Sequence, residues 1–521
     1  MNFLVGNVHV TRWTTFNCSI KTLSLPQTLY KQQDLNVANS RIPTVKAFGF
    51  RELGIHDVVS RSLEKAYPNI RRPTLAQAEF IPAILDGKDV LLQDATGTGK
   101  SFGVILSLLS KRRVMRRKQA DSRQEAGGVT SLVIVPHRDL AFQMLHWIRS
   151  ITSSSNPANL ASFAQVVARD ASDPTSAQIT RLRETPPHVL LGTPQALLDI
   201  YASDASALQV DTLSTIYVDE VDHLIGVPAP YIRKSSEERA WRNFKKHPSV
   251  TRQLLDGILR EHGSKTSGVQ LVMSSATIHE NLVEYLTEEG WLGDDYVYIS
   301  GKKVAAKTSF AVERSSEQAQ VFHHAIVVHG NAKPQNLQDI EFENNREEAS
   351  GGHDSAATSL LQQKLETVAT IFAMDVPNQA LLVLPPSASV RDVVSKLQEF
   401  GVNAHPLDVR ALDHEATEGP TLIVATPAHT RGVDLPLLSH VFVLGVPDIG
   451  DIDVFKHVAG RVDRFGNGGT VVVLLDEVQK AMKDGMMKIT KNEPNLMKIF
   501  YRKLGVKPTK FDLDRIELQD E

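Results

Sequence analysis

Short apolar runs, each followed by a polar turn and a helical stretch, set the rhythm of this chain. Val90, Leu91 and Leu92 lead into a glycine-rich turn, which leads into an apolar-periodic run over residues 102–109. The same succession returns at 132–135, 189–191, 215–218 and 270–273. Strands apolar at consecutive positions are buried on both faces, and their alternation with helices predicts a mostly parallel sheet covered by helices on both sides. A second set begins near Leu360, with strands expected at 380–384, 421–424, 440–444 and 470–475. The fold class is therefore α/β with two lobes, at 47–329 and 358–478. Residues 330–357 have no apolar period and read as a linker or insertion.

Three segments stand outside this rhythm. Residues 111–118 place six basic side chains in eight positions, which makes either a solvated loop end or a nucleic-acid-facing patch. Residues 228–248 are rich in charge, carry Trp241 and read as a surface insertion. Residues 479–521 mix basic side chains with Phe500 and Tyr501 and then turn acidic, as a contact for RNA or protein or as a helical brace. His323, His324 and His329 lack the cysteine or carboxylate neighbours of a metal site and suit a strand end at the first lobe's edge.

Composition narrows the function. A hydrophobic content of 42% and a charged content of 22% are those of a globular protein, and a net charge of -3 excludes a uniformly basic nucleic-acid binder. Any such binding must rest on local patches. The single cysteine, Cys18, excludes an internal disulfide framework, and no apolar run approaches the roughly 20 residues of a membrane-spanning helix. Residues 1–46 hold five basic side chains (Arg12, Lys21, Lys31, Arg41 and Lys46), and Asp34 is their one acid. That is the composition of an organelle transit peptide, mitochondrial ahead of plastid, or else of a disordered tail in a cytoplasmic or nuclear protein.

The chemistry concentrates at two strand ends. Asp94, Ala95, Thr96, Gly97, Thr98, Gly99, Lys100 and Ser101 follow the first apolar run and open a helix. Glycines there let backbone N–H groups turn inward on phosphate, Lys100 reaches the outer phosphates and Ser101 ligates Mg²⁺. Asp94 occupies a position usually held by glycine or alanine, where its carboxylate either repels ATP or points away. Asp219, Glu220, Val221 and Asp222 end the strand at 215–218. The first acid is placed to hold Mg²⁺ and the second to orient or deprotonate a water. Upstream, Gln77 in a Pro-Thr-x-x-Gln turn can donate to and accept from an adenine edge.

In the order of these motifs the chain resembles a DEAD-box RNA helicase of superfamily 2, with Asp219-Glu220-Val221-Asp222 as the signature acids. The resemblance implies two RecA-like lobes, ATP and Mg²⁺ as cofactors, and RNA held by its backbone with little sequence preference. It implies that Phe50 and Gln77 read adenine, and that Arg138, Thr193 and Pro194 contact RNA. Ser275 and Thr277, with Asp222 and His457, would couple the acids to strand separation. In the second lobe it places Thr426 and Gly432 by RNA phosphate, Arg431 and Asp434 at the lobe interface near nucleotide, and Arg461 and Arg464 as arginine fingers. Departures are Asn69-Ile70 before Pro73, His137 in place of threonine after Pro136, Val166-Val167-Ala168-Arg169-Asp170 where paired glycines are expected, Gln195-Ala196 after Pro194, Val458 after His457 and Asp463. Two activities are consistent with this pattern: an ATP-dependent RNA helicase or RNA-protein remodeller, or a catalytically weak, nucleotide-gated RNA-binding assembly factor. With organellar import, the client is organellar RNA or a ribosomal or other ribonucleoprotein particle.

Overall fold

The computed structural model describes residues 49–94, 97–117, 125–153, 160–228, 234–261, 268–293, 295–301, 321–329, 333–340, 355–408, 419–433, 435, 438–446, 452–462, 468–483 and 486–514. Residues 1–46, Thr96, Asp434 and Arg464 lie outside them.

The first lobe contains β1 (Val90–Gln93), β2 (Met115–Arg117), β3 (Glu125–Gly127), β4 (Ser131–Ile134), β5 (Ala164–Val167), β6 (Val189–Gly192), β7 (Thr215–Asp219), β8 (Gln270–Ser275) and β9 (Val297–Ser300). Its main sheet runs β5-β6-β4-β7-β8-β1-β9, with every pair parallel. The strands alternate cleanly between two cores. Val90, Leu92, Val133, Tyr217 and Val272 face one layer of helices, while Leu91, Leu132, Ile134, Ile216, Val218, Leu271 and Met273 face the other. This is why consecutive positions are apolar. Helices α1 (Asp57–Ala66), α2 (Leu75–Leu85), α3 (Lys100–Ser110) and α4 (Arg138–Thr152) supply the first core. Among the described residues the remaining α-helices of the lobe are α5 (Leu160–Phe163), α6 (Thr175–Glu184), α7 (Pro194–Asp204), α8 (Val221–Ile225), α9 (Lys234–Lys246), α10 (Val250–Glu261) and α11 (Glu280–Glu288).

The second lobe contains β10 (Val321–Val328), β11 (Gln335–Asn336), β12 (Gln379–Val383), β13 (Ala404–Pro406), β14 (Thr421–Ala425), β15 (Leu438–Leu444) and β16 (Gly469–Asp476), and its sheet runs β11-β10-β16-β15-β12-β14-β13. The same alternation holds: Leu381, Val383, Ile423 and Val441 line one core, and Ala380, Leu382, Leu422 and Phe442 the other.

Three boundaries differ from the sequence reading. β10 pairs with β16, so residues 321–329 belong to the second lobe and not to 47–329. His323 and His324 are therefore on a strand of the second sheet, and among the described residues no cluster of three or more metal-ligating side chains occurs. Residues 335–340 are not linker: Asn336 Nδ2 donates to Phe511 O at 2.9 Å, and Phe511 N returns a bond to Asn336 Oδ1 at 2.8 Å. The region after 478 completes the second lobe, because the helix Glu493–Leu504 buries Met497, Phe500 and Tyr501 in its core. The brace reading of that segment is the one the fold supports.

Within the insertion at 228–248, Lys234–Lys246 form α9, docked through edge-to-face rings. Trp241 meets Phe244 at 5.5 Å, Phe244 meets Tyr285 at 5.2 Å and Tyr285 meets Trp291 at 5.9 Å. Arg252 lies 4.0 Å over Phe244 and donates to its carbonyl at 2.6 Å. The basic run is only partly outward-facing. Lys111 Nζ donates to Thr215 Oγ1 at 2.6 Å and to Gln270 Oε1, at the starts of β7 and β8 and so at the opposite edge from the glycine turn. Arg113 donates to Gly127 O at 3.1 Å. Neither faces nucleic acid at the strands' C-terminal ends.

Burial pushes the Lys111 ammonium down to about 8 from its ordinary 10.5. Between those values the unfolded chain binds more protons than the folded one, so this group makes stability rise with pH across that window. Urea titrations across the window should show a steeper rise in the wild-type midpoint than in Lys111→Met; equal slopes would contradict the burial.

Candidate active site

Apart from Phe50 and Gln77, which precede β1, the motif residues described in the first lobe lie at or just beyond the C-terminal end of a parallel strand or on the helix that follows, where α/β sheets gather their ligands. After β1, Gly97 and Gly99 take positive φ of 79° and 80°. A Cβ at Gly99 would come within 2.6 Å of Gln77 Nε2, so the turn needs glycine both for its backbone and for the contact. Gln77 is the clasp. Its Nε2 donates to Gly99 O at 2.9 Å, its Oε1 accepts from Thr74 N at 2.9 Å, and Thr74 Oγ1 donates to Thr98 O at 3.3 Å. Phe50 is 4% exposed and belongs to the first core, so its ring is packed against protein and not presented as an open stacking face.

Lys100 is buried, and its ammonium donates to Asp94 O at 2.7 Å. Burial pushes its pKa down, while Glu220 and Asp219 pull it up. The Asp94 carboxylate lies over Gly301, just past the end of β9, leaving no room there for a Cβ. That settles its direction: it is turned toward the sheet's edge strand.

Asp219 is held from two sides. Ser101 Oγ donates to Oδ2 at 2.7 Å and Ser274 Oγ to Oδ1 at 2.6 Å. Ser274, absent from the motif reading, also bonds Tyr217 OH at 2.8 Å; its one signal in the sequence is its place beside Ser275 at the same strand end. Glu220 is 3% exposed and adopts φ 54°, a left-handed conformation costly for a side chain with a Cβ. Burial first, then the charges of Asp219 and Asp222, push its carboxyl up to about 7. Asp222 is fixed by Ser275 Oγ at 2.7 Å and by Thr277 Oγ1. Three of the expected coupling residues, Ser275, Thr277 and Asp222, are thus in contact, while neither ring nitrogen of His457 makes a hydrogen bond among the described residues.

The second lobe closes on this group. Arg431 NH1 stands 4.0 Å from Glu220 Oε2. Arg461 is 1% exposed, donates to Val433 O at 2.7 Å, and its charge reaches Lys100. His457 is buried, and burial together with Arg431 pushes its ring down to about 3 against the pull of Asp222. Beside these residues lies a cavity of about 450 Å³ lined by Arg138, Arg169, Thr193, Pro194, Gln195 and His429. Thr426 Oγ1 and His429 Nδ1 share a bond of 2.8 Å, and Gly432 takes φ 71° against Leu140. Where glycines were expected, Asp170 meets Arg138 at 3.5 Å, and Arg169 is bidentate to Asp199 of α7 at 2.7 and 3.0 Å.

The family model described as DEAD/DEAH box helicase matches residues 74–285. Similar proteins include DEAD-box ATP-dependent RNA helicase CshB of Listeria monocytogenes, 24% identical over 82% of this chain and 79% of that one. DEAD-box ATP-dependent RNA helicase 47A of Oryza sativa is 24% identical over 91% of this chain and 78% of its own. The solved structure of S. cerevisiae Dbp5 bound to RNA and ADP BeF3 superposes with a TM-score of 0.56 at 16% identity, covering 91% of this chain and 97% of that one. The fold is that of the two RecA-like lobes. The glycine turn and the paired acids thus lie within the segment that matches the DEAD/DEAH box helicase model, Arg431 and Arg461 lie beyond it, and the chain is similar to DEAD-box ATP-dependent RNA helicases.

Proposed function

We propose that this chain hydrolyses ATP and couples hydrolysis to local separation of RNA strands or remodelling of an RNA-protein complex. The observation that carries the reading is Glu220, buried beside Asp219 on one lobe and faced by Arg431 of the other. Gln77 has a second N–H and a second lone pair to offer an adenine edge. Backbone N–H groups of residues 97–99 and the Lys100 ammonium cradle the phosphates. Ser101 Oγ and Asp219 Oδ2 are hard oxygens 2.7 Å apart, a pair that fits Mg²⁺, and the ion when bound supplies charge neutralisation between phosphates. Glu220 takes a proton from water as the water oxygen bonds to the γ-phosphorus. The bond to the β–γ bridging oxygen breaks, and ADP leaves with the electron pair. Arg461 and Arg464 stabilise the charge without exchanging a proton. Arg138, Thr193, Pro194, Thr426 and Gly432 face the RNA backbone.

Turnover measured with and without single-stranded RNA, and again with DNA, tests this reading: RNA should stimulate and DNA should not. A second reading, a weakly catalytic clamp, is favoured by one observation, the pairing of Arg138 and Arg169 with Asp170 and Asp199. Asp199→Asn should release Arg169 and tighten RNA binding a few-fold, with the salt slope growing by roughly 0.7. Unchanged affinity would show that the pair does not mask the groove. From the acid-poor composition of residues 1–46 we also propose mitochondrial import and an organellar ribonucleoprotein client; recovery of the chain from cytosol with its N-terminus intact would remove the basis for both.

A further inference from the structure

His137 stands where the resembling motif carries threonine, and its ring reaches further than a hydroxyl. It caps α4: its Nδ1 accepts from Leu140 N at 3.3 Å. The proton is therefore on Nε2, which donates to the carbonyl of Arg431 in the other lobe at 2.6 Å. One ring, 8% exposed, joins the two lobes. Burial above all, with the charges of His429, Arg461 and His223, pushes its pKa down to about 4, so it is neutral near pH 7 and this tautomer is fixed. A second contact comes from the same helical turn. A Cβ on Gly432 would fall 2.5 Å from Leu140 Cδ2, so Leu140 packs directly on that glycine.

We propose that the first turn of α4 is an interlobe latch, in which the His137 Nε2–H and the Leu140 side chain hold the Arg431–Gly432 backbone and so set the Arg431 guanidinium opposite Glu220. His137 is a positioning residue. The latch gives Arg138, the neighbour on the same turn that faces the cavity, a direct mechanical path to the acid. The link to hydrolysis rests on the function proposed above; the latch itself does not.

The two ring nitrogens can be separated by substitution. Glutamine places an N–H near Nε2 and can still reach Arg431 O, but it is a poor cap. Asparagine places an acceptor near Nδ1 and caps α4, but it is too short to cross the cleft. Interlobe distance is read by fluorescence energy transfer between dyes at Glu64→Cys and Arg391→Cys in a Cys18→Ser background, with AMP-PNP and single-stranded polyuridine as ligands. His137→Ala and His137→Asn should each lower the closed-to-open ratio roughly three- to tenfold, and His137→Gln should restore it. Restoration by asparagine to the same extent as by glutamine would mean that the ring is only a helix cap, which overturns the latch. If the wild-type distance ignores both ligands, the motor reading fails; the latch then stands if glutamine and asparagine still give different distances, and falls if they do not.

Discussion

Glu220→Gln should lower RNA-stimulated ATP turnover by roughly 10²- to 10⁴-fold while leaving nucleotide binding nearly intact. The amide fills the same volume and keeps the polar contact with Arg431, but it cannot accept a proton. Wild-type turnover should rise as pH passes through about 7, because burial and the two neighbouring aspartates hold the Glu220 carboxyl protonated below that value. The stability effect has the opposite sense. With a folded pKa raised above the ordinary 4.5, Glu220 contributes stability that is present below about 4.5 and lost as pH climbs through 7. Glutamine carries no such loss, so the variant's melting temperature should match or exceed the wild type's at pH 8 and the gap should close in acid. Turnover within threefold of wild type would leave Glu220 without its role as base. A variant less stable than wild type at pH 8 would contradict the burial of a repelled charge.

What was legible in the sequence follows from the range of the interactions involved. The central strands could be read because both of their faces are buried, which forces apolar residues at consecutive positions whatever the rest of the chain does. The lobe assignment of 321–329 could not, because β10 carries Phe322, His323 and His324 in its first half and its partner β16 is remote in the chain. No local feature says which sheet such a strand joins. The helix α9 was hidden by its charge, since the contact that docks it on the lobe is aromatic, Phe244 against Tyr285. At the site, residue types and order identified Lys100, Asp219, Glu220 and Arg461. Their geometry needed the fold. The direction of Asp94 is decided by Gly301 on the neighbouring strand's end, and the reach of His137 by a carbonyl in the other lobe.

Arg461→Ala should lower turnover by roughly 10³-fold or more, the scale expected for a guanidinium that meets transition-state charge. The side chain is 1% exposed, reaches Val433 O at 2.7 Å, and lies close enough to Lys100 for its charge to oppose the lysine's proton. A buried guanidinium whose charge opposes the proton of a buried lysine is tolerated only where anionic charge offsets it, and on the Lys100 side Asp219 and Glu220 do so. ATP would therefore enter a site whose cations come from both lobes and whose acids come from one. Truncating Arg461 should leave the affinity for a fluorescent ATP analogue within a few-fold, since Lys100 and the glycine turn remain, while the turnover constant collapses. Arg461→Lys separates charge from shape: it keeps the cation but loses the planar fork, and should recover only a small part of the rate. Full recovery with lysine would reduce the role of Arg461 to net charge. Wild-type turnover in the alanine variant would mean that hydrolysis is completed within the first lobe and that the closed cleft serves RNA alone.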